Sequence, residues 1–199
     1  MRKNNDSNYN PLKSFLDGLF LEIWNESEGI PEDAVYEKIN DELYLVPMFK
    51  IENESDEKRV AGSYVSKSLV ELLGFTEKEF MEGIKRNIRY PVDYLYNGKK
   101  LMLTQRIGTE SPGRTYFGAA ALFYDGVLDE AIKLLGTDEF YVLLFSKPNL
   151  ILVKREDYDV DEAYSLLEYL DVNSDRMPDW LRVGNFVFEY RDGKIVTVE

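Results

Sequence analysis

The chain has 199 residues, with 24 Lys and Arg against 37 Asp and Glu for a formal charge of −13, and it has neither cysteine nor histidine. That inventory excludes disulfides, thiolate nucleophiles, zinc–thiolate and iron–sulfur centres, His-based triads and imidazole metal sites. Any metal would have oxygen ligands only, and any acid or base would be Asp, Glu, Lys or Tyr.

A hydrophobic fraction of 44% with 14% aromatics is that of a globular chain, not a disordered one. Residues 1–9 are polar and expected to be a flexible terminus, with 10–199 expected to form one domain. Leu12, Phe15, Leu16, Leu19, Phe20, Ile23 and Trp24 recur at the spacing of one helical face, which predicts an N-terminal helix ended by Gly29-Ile30-Pro31. A hairpin is expected next, with arms Ala34 to Ile39 and Leu43 to Ile51 turned at Asn40-Asp41. Pro47 in the second arm predicts an edge strand or a bulge. Residues 52–59 are charged and loop-like, and Val60 to Tyr64 reads as a short strand.

Ser66 is expected to cap a helix through Leu69, Val70, Leu72 and Leu73, stopped by Gly74. Thr76 and Glu79 form a capping box for a second helix that turns Phe80, Ile84 and Ile88 inward, with Pro91 beyond its end. Leu101 to Thr104 and Thr115 to Tyr124 read as strands around a Gly/Pro-rich connection. A short helix through Leu128, Ile132, Leu134 and Leu135 ends at Gly136. Glu139 to Phe145 and Leu150 to Val153 form a hairpin through Lys147-Pro148-Asn149. Asp161 is expected to cap a helix through Leu170, and Phe186 to Tyr190, Asp192-Gly193 and Ile195 to Val198 make a last hairpin. Strand pairs alternate with helices as ββα, so the fold class is α+β: a mainly antiparallel sheet with packed helices and an added N-terminal helix. Leu122, Tyr124, Val127, Leu128, Tyr141, Leu143 and Ile151 are the expected core of the second half.

The motifs that could carry chemistry have plainer explanations. Gly108 to Thr115 has phosphate-loop spacing with Arg114 in the lysine position, but Tyr116 to Tyr124 after it reads as strand, not as the helix a phosphate loop needs. Asp157, Asp159, Asp161 and Glu168 copy calcium-loop positions, but Glu162 stands where the sharp turn needs glycine. Ser55 and Lys58 have nucleophile-pair spacing within a solvated charge run, and Ser66-Lys67 and Ser146-Lys147 are adjacent pairs. Lys85, Arg86 and Arg89 sit at a helix C-terminus, where the dipole favours cations, and one such cluster is not a nucleic-acid groove. No cofactor and no metal site is expected.

The second half nevertheless has a familiar pattern. Gly118-Ala119-Ala120-Ala121-Leu122-Phe123-Tyr124-Asp125-Gly126-Val127-Leu128, then Leu135-Gly136 before Phe140-Tyr141-Val142-Leu143, then Val187 to Ile195, resembles domain-of-unknown-function family 5688. Its members occur in Gram-positive gut anaerobes and their mobile elements, and the resemblance extends over most of residues 30–199. Where the family reads Pro-Ser-Ser-x-His-Glu, this chain has Leu144-Phe145-Ser146-Lys147-Pro148-Asn149-Leu150, so only Ser146 corresponds and any chemistry of that His and Glu is lost. The resemblance implies no activity.

The composition and motifs together lead to a non-catalytic accessory factor that binds another protein. Direct nucleic-acid binding and membrane insertion are not expected, and with no signal peptide the cytoplasm is the expected location. An Asp/Glu enzyme using Mg²⁺ is one alternative, and an acidic mimic of nucleic acid acting as an inhibitor is another. The low-ranking functional candidates are Asp125, Ser146 and Lys147. Asp125 is the wager if the chain is an enzyme, because it lies in the most family-like block.

Overall fold

Runs of alternating apolar residues build two antiparallel sheets with helices packed on them, the α+β class expected. The structure, a computed structural model, describes residues 18–51, 61–87, 91–107, 115–116, 118–173 and 177–198. The small sheet has β3 (Leu43–Ile51) at its centre. β1 (Leu19–Asn25) pairs with one edge of β3. β2 (Glu37–Lys38) and β4 (Ala61–Tyr64) share the other. The large sheet runs β11 (Lys194–Thr197), β10 (Arg182–Arg191), β8 (Phe140–Ser146), β9 (Asn149–Lys154), β6 (Lys100–Ile107), β5 (Val92–Tyr96). β7 (Thr115–Tyr116) pairs with the end of β6. The helices are α1 (Lys67–Leu72), α2 (Glu77–Arg86), α3 (Val127–Leu135) and α4 (Val160–Val172).

The first expected helix is a strand where the structure describes it. Leu19, Leu21 and Ile23 face the core between the sheets, while Phe20 faces a second cluster with Val46 and Met48. A strand buried on both faces is an almost unbroken apolar run, and such a run also satisfies helical spacing. Leu12, Phe15 and Leu16 lie outside the described residues.

Pro47 lies in the central strand of the small sheet, not at an edge. Leu21 N–H donates to the Tyr124 hydroxyl at 2.9 Å, so Leu21 and its partner Pro47 turn their backbone polar groups away from each other. The proline nitrogen therefore faces the gap between β2 and β4, where Val65 N–H donates to Pro47 O at 3.0 Å. The reciprocal bond from residue 47 to Val65 O is the one the ring forgoes, and that carbonyl accepts instead from Val35 N–H at 2.9 Å, which is why a central strand tolerates the proline.

The expected strand Thr115 to Tyr124 is also corrected. Only β7 is extended, and Gly118–Phe123 coils into a 3-10 segment whose first five residues are buried. It lies against both β1 and β6, with no room for larger side chains at its start. A Cβ on Gly118 would sit 2.4 Å from Pro148 O and 2.4 Å from Thr104 Cα. Gly118 and Ala119 N–H donate to the Pro148 and Lys147 carbonyls at 2.9 and 3.0 Å.

The capping box at Thr76 and Glu79 forms as expected. The cap of α4 is Asp159, not Asp161: Asp159 Oδ1 accepts from Glu162 N–H and Glu162 Oε2 from Asp159 N–H, both at 2.9 Å. Residues 108–114, most of the phosphate-loop-like stretch, and Ser55 with Lys58 lie outside the described residues.

One core cluster lies between the two sheets and a second between the large sheet and α4. Leu122, Tyr124 and Val127 belong to the first and Tyr141, Leu143 and Ile151 to the second. Leu128 only packs against the first, partly exposed. Among the described residues no helix is long and apolar enough to cross a membrane.

Candidate functional site

Two places in the fold depart from an ordinary core and surface. The first is the turn from β8 to β9. β8 is buried along its whole length, and the turn after it is tied down by its backbone. Lys147 N–H donates to Leu181 O at 2.8 Å, and the two carbonyls of the turn accept from Gly118 and Ala119. This draws Lys147 inside, to 4% exposure. Its Nζ donates to Glu28 Oε2 at 2.6 Å, lies 2.8 Å from Glu22 Oε1 and sits over the Trp24 ring, 5.7 Å from its centroid.

β1 supplies Glu22 and Trp24 from one face, because side chains two apart on a strand point the same way. Glu28 ends the 3-10 turn after β1 and is held there by a capping box with Asn25, whose N–H donates to Glu28 Oε1 at 2.9 Å. Burial pushes the Glu22 carboxyl above its ordinary value; Lys147 pulls it back down and Glu28 pushes it up again. The Ser146 hydroxyl is buried beside the turn and has no hydrogen-bond partner among the described residues.

Chemically this is a closed set. An amine nucleophile needs an open approach to its nitrogen, and Lys147 Nζ is buried with a carboxylate contact on each of two sides. No hydrogen bond joins Ser146 to Lys147, so the pair is not a Ser–Lys dyad. The triad joins β1 of the small sheet to the β8–β9 turn of the large one, and Asn25 Nδ2 adds a bond to Val183 O at 3.0 Å nearby. It works as a clip between the sheets.

Asp125 is elsewhere, exposed at the far end of the buried 3-10 segment. Its backbone N–H donates to Lys85 O at 3.0 Å. It does not cap α3: Gly126, at φ 80°, is the N-cap, with no side-chain cap bond. The structure therefore brings Ser146 and Lys147 together by adjacency alone and leaves Asp125 apart. Among the described residues no group of three or more acidic side chains is placed to hold a metal ion.

The second place is an open strip of the large sheet. Cross-strand register lines up Val187, Leu143, Ile151, Met102 and Leu95 in one row over β10, β8, β9, β6 and β5. α4 packs mainly on β8 and β10. The row is accordingly buried from Val187 to Ile151 and reaches 55% exposure at Leu95. The floor opens as a groove of about 720 Å³ lined by Asp93, Leu95, Met102, Thr104 and Asn149. It continues into a second groove of about 470 Å³ along Asn97, Lys100, Met102 and Ile151.

Sequence reasoning missed Glu22, Trp24 and Glu28, and it missed β5. The signal for the clip was a glutamate inside an apolar run that proves to be a strand. The signal for β5 was Tyr94-Leu95-Tyr96 before Asn97-Gly98, an alternating segment ahead of a hairpin turn. No protein-family model matches the chain, and no curated protein or solved structure is similar to it.

Proposed function

We propose that this protein acts by contact with another polypeptide, not by turnover, and that it docks through the open strip beside α4. The observation that carries the reading is the single apolar row that begins under α4 and ends at Leu95 in solvent. Half-buried Met102 and exposed Leu95, with Asp93 and Asn149 beside them, leave apolar surface of the sheet uncovered, and apolar surface rimmed by polar groups favours an interaction site. The buried triad at Lys147 is the nearest approach to catalytic machinery and supports the enzyme reading poorly, because its charges satisfy one another. Kinship with family 5688 rests on the residue blocks from Gly118 to Ile195, and it fits an accessory protein of a bacterium or a mobile element.

The test is affinity capture from the native host with wild type, Leu95→Glu, Met102→Glu and a control, Leu72→Glu, on the exposed side of α1. The expected result is one partner held by wild type and by the control and lost by both strip variants. A partner held equally by all four proteins would move the docking surface elsewhere.

A further inference from the structure

We propose that two copies of this chain associate through β5, antiparallel about a two-fold axis at Leu95, so that their large sheets become one continuous sheet. This goes beyond the docking strip and does not depend on it.

Among the described residues β5 pairs with β6 and with no other strand. The direction of its backbone groups follows from the turn that closes the hairpin, where Asn97 N–H donates to Lys100 O at 3.2 Å. Backbone groups alternate along a strand. Those of Leu95 and Asp93 therefore point toward β6, and those of Val92, Tyr94 and Tyr96 point outward.

The outward groups form a self-complementary edge. With Leu95 opposite Leu95 of the second copy, Tyr94 stands opposite the other copy's Tyr96. Those tyrosines exchange N–H and C=O bonds in both directions, about four backbone bonds across the axis. Side chains sort correctly as well. The row from Val187 to Leu95 meets its own image and becomes one apolar row across both copies. The tyrosines, on the opposite face, stack against one another.

Charge selects this register. It sets Asp93 opposite Asn97 of the copy, beside Lys99 of that copy's exposed hairpin turn, so a carboxylate stands near an ammonium group at each end of the interface. Shifting by one pair, with Tyr94 on the axis, sets Asp93 against Leu95 and drives a carboxylate into the apolar row. A strand of five residues is a short edge, and the interface falls at the small end of stable contacts. The dimer is therefore a weak one that forms with concentration.

The chain has no cysteine, so Leu95→Cys introduces a single thiol. Leu95 and its image form a non-hydrogen-bonded antiparallel pair, with Cα atoms about 4.5 Å apart. That lies inside the roughly 4.4–6.8 Å span of disulfides. Under mild oxidation Leu95→Cys should become a covalent dimer at least tenfold faster than Leu72→Cys, whose position is 83% exposed. Sedimentation equilibrium should show wild type dimerising with concentration and Leu95→Arg staying monomeric. Equal cross-linking of the two cysteine variants, or a wild type monomeric at every concentration, would overturn the proposal. Faster cross-linking of Tyr94→Cys than of Leu95→Cys would overturn it in the register stated. Sedimentation uses the purified chain alone, so its outcome is independent of whether the strip captures a partner.

Discussion

Replacing Lys147 by Met and Glu22 by Gln should have opposite effects, although both break the same ion pair. Met fills the lysine stem's space over Trp24 but leaves Glu22 and Glu28 facing each other beneath the surface. Each contact is worth about 6 kcal/mol gross at 2.6–2.8 Å with an effective dielectric near 20, most of it offset by desolvation. Removing one partner of a buried pair usually costs about 3–5 kcal/mol, because the remaining charge is uncompensated. Glu28 keeps some contact with water, so Lys147→Met should cost about 3 kcal/mol at pH 7.

Glu22→Gln leaves Lys147 paired with Glu28. The Glu22 carboxyl is pushed above its ordinary 4.5 because burial outweighs Lys147, so an uncharged side chain suits the folded site better. The folded state then holds a proton that the unfolded chain has released, from pH 4.5 upward to the folded value. Glu22 therefore subtracts stability as pH rises through that window. Glu22→Gln should match wild type below pH 4.5 and be slightly more stable, within about 1 kcal/mol, at pH 7. The loss in Lys147→Met should shrink toward acid pH as the Glu22 carboxyl protonates. Urea unfolding of the three proteins from pH 4.5 to 8 decides it. A Glu22→Gln penalty above about 2 kcal/mol that grows with pH would mean attraction outweighs burial and would refute the reasoning.

Gly118→Ala should destabilise by about 3 kcal/mol or more, because the new Cβ meets backbone atoms of Pro148 and Thr104 that cannot move aside cheaply; thermal unfolding reads it. Tyr124→Phe should cost about 1–3 kcal/mol in urea by leaving the buried Leu21 N–H without its hydroxyl acceptor. Asp159→Ala should cost about 0.5–2 kcal/mol, and Asp161→Ala much less, since only Asp159 caps α4; equal losses would put the cap elsewhere.

Elements whose signal is local were legible. Thr76 and Glu79 specify a cap by their own side chains, and Asp192-Gly193 specifies the last hairpin by its backbone preference. The hairpin of β8 and β9 was legible because Pro148-Asn149 interrupts two apolar runs. Sequence and structure part where tertiary burial overrides period. β1 is apolar on both faces because clusters lie on both sides of it, so its alternation vanishes into a pattern that a helix also satisfies. The Gly118–Phe123 segment reads as strand because burial and strand propensity look alike in small apolar residues. What forbids a strand there is close approach to Pro148 and Thr104, a fact of the packed chain and not of the segment.

The candidate site shows the same division more sharply. Ser146 and Lys147 stand out in the sequence because the resemblance to family 5688 breaks off at that point, and the position proves unusual. Its chemistry was not legible, because it is made by Glu28, 119 residues away, and by Glu22 from a strand with helical spacing. A lysine after a buried strand would ordinarily lift its ammonium to solvent. Lys147 does not, because Leu181, Gly118 and Ala119 hold its backbone down and β1 brings the carboxylates to it. Two surfaces that would otherwise each expose charge are thereby closed against each other. The apolar strip that remains open lies on the other face of the large sheet, beyond the strands β8 and β10 on which α4 mainly packs. The clip and the strip are thus separate consequences of one sheet covered unevenly: the face toward β1 is filled by the apolar core and fastened by charge at the β8–β9 turn, and the face toward α4 stays open at the β5 edge.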